Sequence, residues 1–324
     1  MSSRLKLLIV SRQVRSRSFS TLFNGLSDCF DTTLLKLSKD DIRNFASIVP
    51  KLNCEQYDRV MFDIPLRRIG KGYKVLKSIS GLILYEEDAC QEFIQRSKYY
   101  KKYIKIYREL SMAEGCRVII TGFNIGERFR QAGLDVHVIP KAFDENHLKD
   151  LGNKRDVEQG FVGRVKNKVY KKRQEFLQSL VVNEGLKLFK TDPGEEYLLA
   201  LNRIKIFVSA DIGFLEYMAK NFEAMACGCL VLAKRQGGGE EEKLGLIHME
   251  NIVLYNDIFD AINVLSYLRG KPEVVKAIAY NGRKFVEERH SLGARINSFF
   301  LAIEKDPVPP LEKVKHFKLL GRWM

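Results

Sequence analysis

The stretch KNFEAMACGCLVLAKRQGGG, residues 220–239, decides the fold. Residues 220–226 read as the opening turns of a helix, Gly228 as a turn and residues 229–233 as a buried strand that runs on into three consecutive glycines. A helix, a tight turn, a short apolar strand and a glycine-rich exit together form the repeating unit of a parallel α/β sheet. In such sheets ligands bind outside the carboxyl ends of the strands. Lys220 and Glu223 then stand near a helix N-terminus at that mouth, where free N–H groups and the helix dipole favour anions. Lys220 is suited to neutralise a phosphate, and Glu223, an acceptor-only carboxylate, to take hydroxyl protons from a ribose.

Working outward, short apolar runs recur on both sides. Residues 5–10, 32–37, 59–64, 82–85, 117–121 and 136–139 form one series; Ser38 with Asp41 reads as a helix N-cap, and Pro65 closes the third run. A second series follows at residues 160–165, 204–209, 229–233 and 251–255. Between them VIPKAFDEN, residues 138–146, stops at a proline and turns polar. The expected division is an N-terminal Rossmann-like domain over residues 1–143, a C-terminal one over 144–305, and a basic tail over 306–324. The length of 324 residues suits two domains of roughly 150 each. No internal repeat of fixed period is present.

The formal net charge is +14 and 45% of residues are apolar, which describes a globular protein with an anionic partner. Nucleic acid, phosphorylated small molecules and anionic lipid headgroups all satisfy that charge. Cys29, Cys54, Cys90, Cys116, Cys227 and Cys229 are scattered without a C-x-x-C pair, so a reducing, cytoplasmic compartment is expected. The opening MSSRLKLLIVSR is too short in its apolar run for a signal peptide, and no stretch approaches the ~18 apolar residues of a membrane span.

NFEAMACGCLVLA resembles the F-E-A-M-A-x-G-x-x-V signature in the C-terminal half of retaining GT-B glycosyltransferases, the family-4-like group and its spore-maturation-protein-B-like relatives. FVGRVKNKVYKKRQEFLQSL resembles the opening strand and basic loop of that half, LNRIKIFVS the strand before the signature, and GGGEEEKLGLIHMENIVLYND the Gly-Glu loop with its following strand. NGRKFVEERHSLGARINSFF resembles the closing helices, and VIPKAFDEN the interdomain V-I-P-N-G-V-D, with Lys141 and Ala142 in place of Asn and Gly. The resemblance implies an α/β protein of GT-B fold, two Rossmann-like domains facing across a cleft.

The same resemblance implies a donor site. Glu223 would hold the nucleotide ribose, and Arg164 with Lys166 or Lys168, together with Lys220, the donor diphosphate. Gly163, Asp211 and Asn221 belong to the expected donor side, and Gly238 and Gly239 would let backbone approach the sugar phosphate. Family-4 enzymes carry a further Glu eight positions before the first; here Leu215 stands there, with Asp211 and Glu216 as the nearest acids. In the N-terminal half, Arg12, Arg15 and Arg17 after the first strand are suited to a phosphorylated acceptor or donor. Glu86, Glu87 and Asp88 follow another strand: Glu86 is expected with Arg12 and Arg15 on the acceptor, and Glu87 and Asp88 in orienting its hydroxyl as catalytic residues. Catalysis by charge stabilisation needs no strong dedicated base. No D-x-D string is present, so no metal and no cofactor beyond the nucleotide sugar are expected.

Residues 96–110, RSKYYKKYIKIYREL, set Lys98, Lys101, Lys102, Lys105 and Arg108 along one helical side and Tyr99, Tyr103, Ile106 and Leu110 along the other. That pattern suits an anionic membrane surface, and the tail EKVKHFKLLGRWM, with the only tryptophan, Trp323, repeats it. The expectation is a cytoplasmic transferase, peripheral at the inner face of the cytoplasmic membrane. It would pass a sugar, with retention, from a nucleoside-diphosphate sugar to a hydroxyl of a glycan or glycolipid acceptor such as lipopolysaccharide. The alternative is a non-catalytic protein of the same fold that binds an anionic glycan or nucleic acid. Nucleic acid is not an expected partner, since no recognition motif is visible.

Overall fold

The computed structural model describes residues 4–112, 115–165 and 168–309, without the side chains of Ser16, Arg17 and Lys168. Lys166 and the aromatic, basic tail with Trp323 lie outside the described residues. The chain divides into two compact units. Unit 1 comprises Met1–Phe93, Lys98–Ile139 and Ile296–Met324; unit 2 comprises Ile94–Ser97 and Pro140–Arg295.

Unit 1 is built on six parallel strands, β1 (Lys6–Arg12), β2 (Asp31–Leu37), β3 (Arg59–Asp63), β4 (Leu82–Glu86), β5 (Arg117–Ile120) and β6 (Asp135–Val138), in the order β2-β1-β3-β4-β5-β6. The apolar runs of β3, β4 and β5 are buried along their whole length, as strands covered on both faces must be. The expected buried run at residues 32–37 is β2, an edge strand whose side chains are mostly part-exposed. Ser38 and Asp41 form a reciprocal capping box at the helix that follows.

The last helix, Leu292–Glu304, passes into unit 1 at Ile296 and buries Phe299, Ala302 and Ile303. Its final carbonyls have no intrahelical partner. Two buried arginines at the starts of strands fill that need. Arg59 donates to the carbonyls of Ile303 and Glu304, each at 2.9 Å, and Arg117 to those of Ala302, Lys305 and Asp306 at 2.7–2.8 Å.

The basic-aromatic segment is helical only over Tyr103–Ser111. Tyr103, Tyr107 and Leu110 are fully buried in unit 1, with the Tyr107 ring 5.9 Å from Phe129. Tyr103 and Leu110 of the apolar stripe expected to meet lipid are therefore part of the core, while Tyr99 and Ile106 stay part-exposed, because helical spacing of apolar side chains serves a protein interior as well as a bilayer. Lys98, Lys101, Lys102 and Lys105 are exposed.

Unit 2 holds five parallel strands, β7 (Val157–Val162), β8 (Lys187–Phe189), β9 (Ile204–Val208), β10 (Leu230–Lys234) and β11 (Val253–Tyr255), in the order β11-β10-β9-β7-β8. Strand β8 is a three-residue edge with two exposed side chains, and no apolar run announces it. The signature helix is Ala219–Ala226; it packs on helix Pro272–Arg289 and leads through the Gly228 turn into β10. Cys90, Cys116, Cys227 and Cys229 are buried thiols, and burial pushes the Cys229 thiol up to about 12, so it behaves as a small apolar side chain. Among the described residues no helix is long and apolar enough to cross a membrane.

Strand order reverses once in each sheet, between β1 and β3 in unit 1 and between β7 and β9 in unit 2. The crevice outside the carboxyl ends at such a reversal is where doubly wound sheets take ligands. Arg12 and Asp63 end β1 and β3; Gly163 and Arg164 follow β7, and Ser209 to Asp211 follow β9.

Candidate active site

In unit 2 the crevice is organised by Lys220, in the first turn of helix Ala219–Ala226. Its Nζ crosses to β7 and donates to the Val162 carbonyl at 2.7 Å, over the Phe161 ring. Gly163 makes this possible: its φ is +138°, and a Cβ there would lie 1.9 Å from the Lys220 Nζ. Burial lowers the Lys220 ammonium below its usual value, against the pull of Glu223 and Asp211, with Arg173 and Arg164 adding repulsion. A cation in a first helical turn also opposes the helix dipole. A desolvated ammonium in this position gains most from an arriving dianion.

Glu223, one turn along, is half-buried and accepts from the Tyr197 hydroxyl at 2.5 Å. Tyr197, on helix Glu195–Arg203, orients one carboxylate oxygen. It was not legible in the sequence, since a tyrosine 26 residues upstream carries no spacing signal.

Asp211 and Asn221, expected on the donor side, face each other instead. The Asp211 carboxylate accepts from Asn221 Nδ2 at 2.7 Å, from the Met218 amide at 3.0 Å and from Arg173 at 3.3 Å. It thus caps the signature helix from a distance, where Met218 offers no side-chain cap of its own. Arg173 also donates to the Ala210 carbonyl and lies against Tyr170 and Phe214. Glu216 is fully buried in an ion pair with Lys141, Nζ to Oε2 2.5 Å. The Lys141 that replaces the family's Asn thereby has a partner in Glu216, in the acid-bearing loop.

After β10, Gly237, Gly238 and Gly239 all take positive φ (+68°, +64° and +80°), so this turn is open only to glycine without strain. Buried Glu241 ties the loop down, accepting from the Gln236 and Gly237 amides and from Tyr217 Oη at 2.6 Å. Burial pushes its carboxyl up, but the bonds from Tyr217, Gln236 and Gly237 outweigh this and hold it below the usual range. Gln236 Nε2 reaches the Asp211 carbonyl at 3.0 Å, which joins the glycine loop to the crevice. Arg164 is exposed beside it, and the Lys168 side chain lies outside the described residues.

In unit 1 the β1/β3 crevice holds Arg15, whose Nε bonds both Asp63 oxygens at 2.6 and 2.8 Å and whose Nη1 pairs with Glu87 at 2.7 Å. Ser11 Oγ donates to Asp63 at 2.7 Å, and Arg15 stacks on Phe19. Glu87 also accepts from Tyr85 Oη at 3.1 Å, and Asp88 is paired with Arg67. Both expected catalytic carboxylates are therefore held by arginines and stay partly exposed, 22% and 26% at the side chain. Glu86 is corrected: it is 1% exposed and accepts from the Leu66 and Asp88 amides and from Tyr107 Oη, so it anchors the core rather than an acceptor. Desolvation, with Asp88 close by, pushes its carboxyl up to about 8. A one-residue change in strand ending accounts for this, since β4 runs through Glu86 and turns that side chain inward.

Residues 173–300 match the family model described as glycosyl transferase-like. Among solved structures, sucrose-phosphate synthase from Thermosynechococcus elongatus aligns over 93% of this chain and 99% of its own at TM-score 0.65 and 11% identity. Anabaena HepE in complex with UDP and glucose aligns over 93% and 100% at TM-score 0.64 and 13% identity. The fold is GT-B, and the chain carries a glycosyl transferase-like domain. A glycosyltransferase from Rickettsia africae aligns likewise, over 94% of this chain and 100% of its own, at TM-score 0.55 and 13% identity. No curated protein sequence matches the chain. The matched segment of this GT-B chain contains Arg173, Asp211, Lys220, Glu223 and the glycine loop, the residues that build the unit 2 crevice.

Proposed function

We propose that the protein is a retaining glycosyltransferase that uses a nucleoside-diphosphate sugar, with unit 2 holding the donor and unit 1 the acceptor. The observation that carries this is Lys220, desolvated at the β7/β9 crevice beside Glu223. Lys220 and Arg164 receive the diphosphate, Glu223 the ribose hydroxyls, and the amides of the glycine loop the sugar phosphate. As the bond to the sugar breaks, negative charge grows on the leaving diphosphate and Lys220 stabilises it. Glu87 and Asp88 orient the attacking hydroxyl as ions already neutralised by Arg15 and Arg67, which fits a mechanism that relies on charge stabilisation more than on a strong base. HepE has been crystallised with UDP-glucose, so UDP sugars head the donor screen. Thermal shift against UDP, GDP, ADP and CMP sugars tests the proposal: a ligand at 100 times its Kd adds about 2.7 kcal/mol of stability. No shift with any nucleotide would overturn it.

Glu223→Gln separates ribose binding from a helix-start role. Gln is nearly isosteric and keeps an oxygen for Tyr197, while bonds from the sugar hydroxyls lose their charge. Hydrogen bonds to charged groups contribute about 1.5–3 kcal/mol, so donor turnover should fall by on the order of tenfold to a hundredfold with Tm unchanged. Wild-type turnover in a folded variant would return Glu223 to a structural role.

The acceptor in this proposal is a lipid-linked envelope glycan such as lipopolysaccharide, met at the cytoplasmic face of the membrane. With Tyr103, Tyr107 and Leu110 buried, adsorption by this segment rests on the exposed Lys98, Lys101, Lys102 and Lys105, and so is salt-sensitive. Each lysine near an anionic surface contributes about 1 kcal/mol. Reversing all four to glutamate should weaken co-sedimentation with phosphatidylserine-containing vesicles and leave UDP affinity intact; unchanged sedimentation would remove this segment's membrane contact from the proposal.

A further inference from the structure

We propose that the β1/β3 crevice of unit 1 is an oxyanion site that holds a phosphate or carboxylate borne by the acceptor. The inference deepens the functional proposal above and rests on its assignment of the acceptor to unit 1.

Arg12 lies within electrostatic reach of Arg15, Arg68, Asp63 and Glu87, and with Arg12 itself these make three positive charges against two negative ones. The two carboxylates are committed to Arg15, and Asp63 also to Ser11. That arrangement fixes the Arg15 guanidinium rigidly while leaving part of its donor fork over. Among the described residues, Arg15 Nη2 and Arg12 Nε are buried and have no hydrogen-bond partner. Buried donors on charged groups are expensive to leave unbonded, and neither the carboxylates nor Ser11 meets this demand. A tetrahedral or planar oxyanion does, since it offers several acceptor oxygens to guanidinium forks. Burial first, and the neighbouring Arg15 second, lower the Arg12 guanidinium below its usual value, a cost of desolvating the cation that a bound anion offsets. The position is the point of strand reversal, where a doubly wound domain binds its own ligand.

Two sources could bring such an anion, the acceptor or the donor diphosphate, and the test separates them. Isothermal titration is done on the full chain with inorganic phosphate, with acetate, and with glucose as the uncharged control, each with UDP present at saturation. Arg15 is left alone, because removing it strands Asp63 as a buried charge. The variants are Arg12→Gln, Arg12→Lys and Arg68→Gln, each checked by Tm. The site predicts saturable phosphate binding with UDP already bound, weakened about tenfold or more in Arg12→Gln, less in Arg12→Lys, and no binding of glucose. Phosphate that fails to bind, or binds Arg12→Gln as well as wild type, overturns the inference while UDP binding leaves the functional proposal standing. A loss of UDP affinity in Arg12→Gln equal to the loss for phosphate assigns the arginines to the donor and overturns the acceptor reading. Absence of UDP binding by wild type sinks the functional proposal instead, and the phosphate titration is then read without UDP on the same variants.

Discussion

Lys220→Met will lower sugar transfer by on the order of a hundredfold to a thousandfold, the range found when a single group stabilising transition-state charge is removed. Methionine keeps the apolar stem over Phe161 and fits beside Gly163, so the change isolates the ammonium. The structural loss is one bond to the Val162 carbonyl, about 1 kcal/mol, visible as a small drop in Tm. The kinetic loss should lie in kcat more than in KM, because the diphosphate carries more charge as it leaves than when it is bound as substrate. Donor hydrolysis and transfer assays at saturating donor read this directly. Activity within a few-fold of wild type would mean that Lys220 is a strut between the signature helix and β7 and that the diphosphate is held elsewhere. Lys220→Ala adds nothing cleaner, since it also opens space under Gly163.

The sequence was legible where one segment carries its own signal. The run from Phe222 to Val231 states a helix, a turn and a strand in order, and the structure has helix Ala219–Ala226 and β10 there. Ser38 and Asp41 are three residues apart and meet as a capping box. What was not legible depends on contacts between distant segments. Tyr197 meets Glu223, Arg173 meets Asp211, and Asp63 meets Arg15 only because parallel strands bring their carboxyl ends into line. Periodicity was ambiguous in one instructive place: Tyr99, Tyr103, Ile106 and Leu110 repeat as a membrane-facing stripe would, yet Tyr103 and Leu110 are buried, and Tyr107 beside them donates to Glu86, a carboxylate that the sequence assigned to the acceptor.

Asp211→Ala is expected to unfold unit 2 more readily than to change its chemistry. The carboxylate is 4% exposed and holds three donors, Arg173, the Asn221 amide and the Met218 N–H. Truncation leaves Arg173, itself 13% exposed at the side chain, without its counter-charge and the signature helix without its remote cap. Breaking a buried pair from one side costs about 3–5 kcal/mol, which lowers Tm by roughly 6 °C or more in a domain of this size. A double-mutant cycle identifies the cause. If the damage is the stranded guanidinium, adding Arg173→Met to Asp211→Asn should recover part of the stability that each single change removes, a coupling of about 0.5–3 kcal/mol. Turnover per folded molecule, measured at a temperature well below the lowered Tm, should then fall only as far as Lys220 and Glu223 are displaced on their helix. The competing view has Asp211 touching the donor sugar. It requires the reverse pattern: Asp211→Asn melting with wild type, no coupling to Arg173, and turnover reduced by the amount a lost charged bond to substrate accounts for.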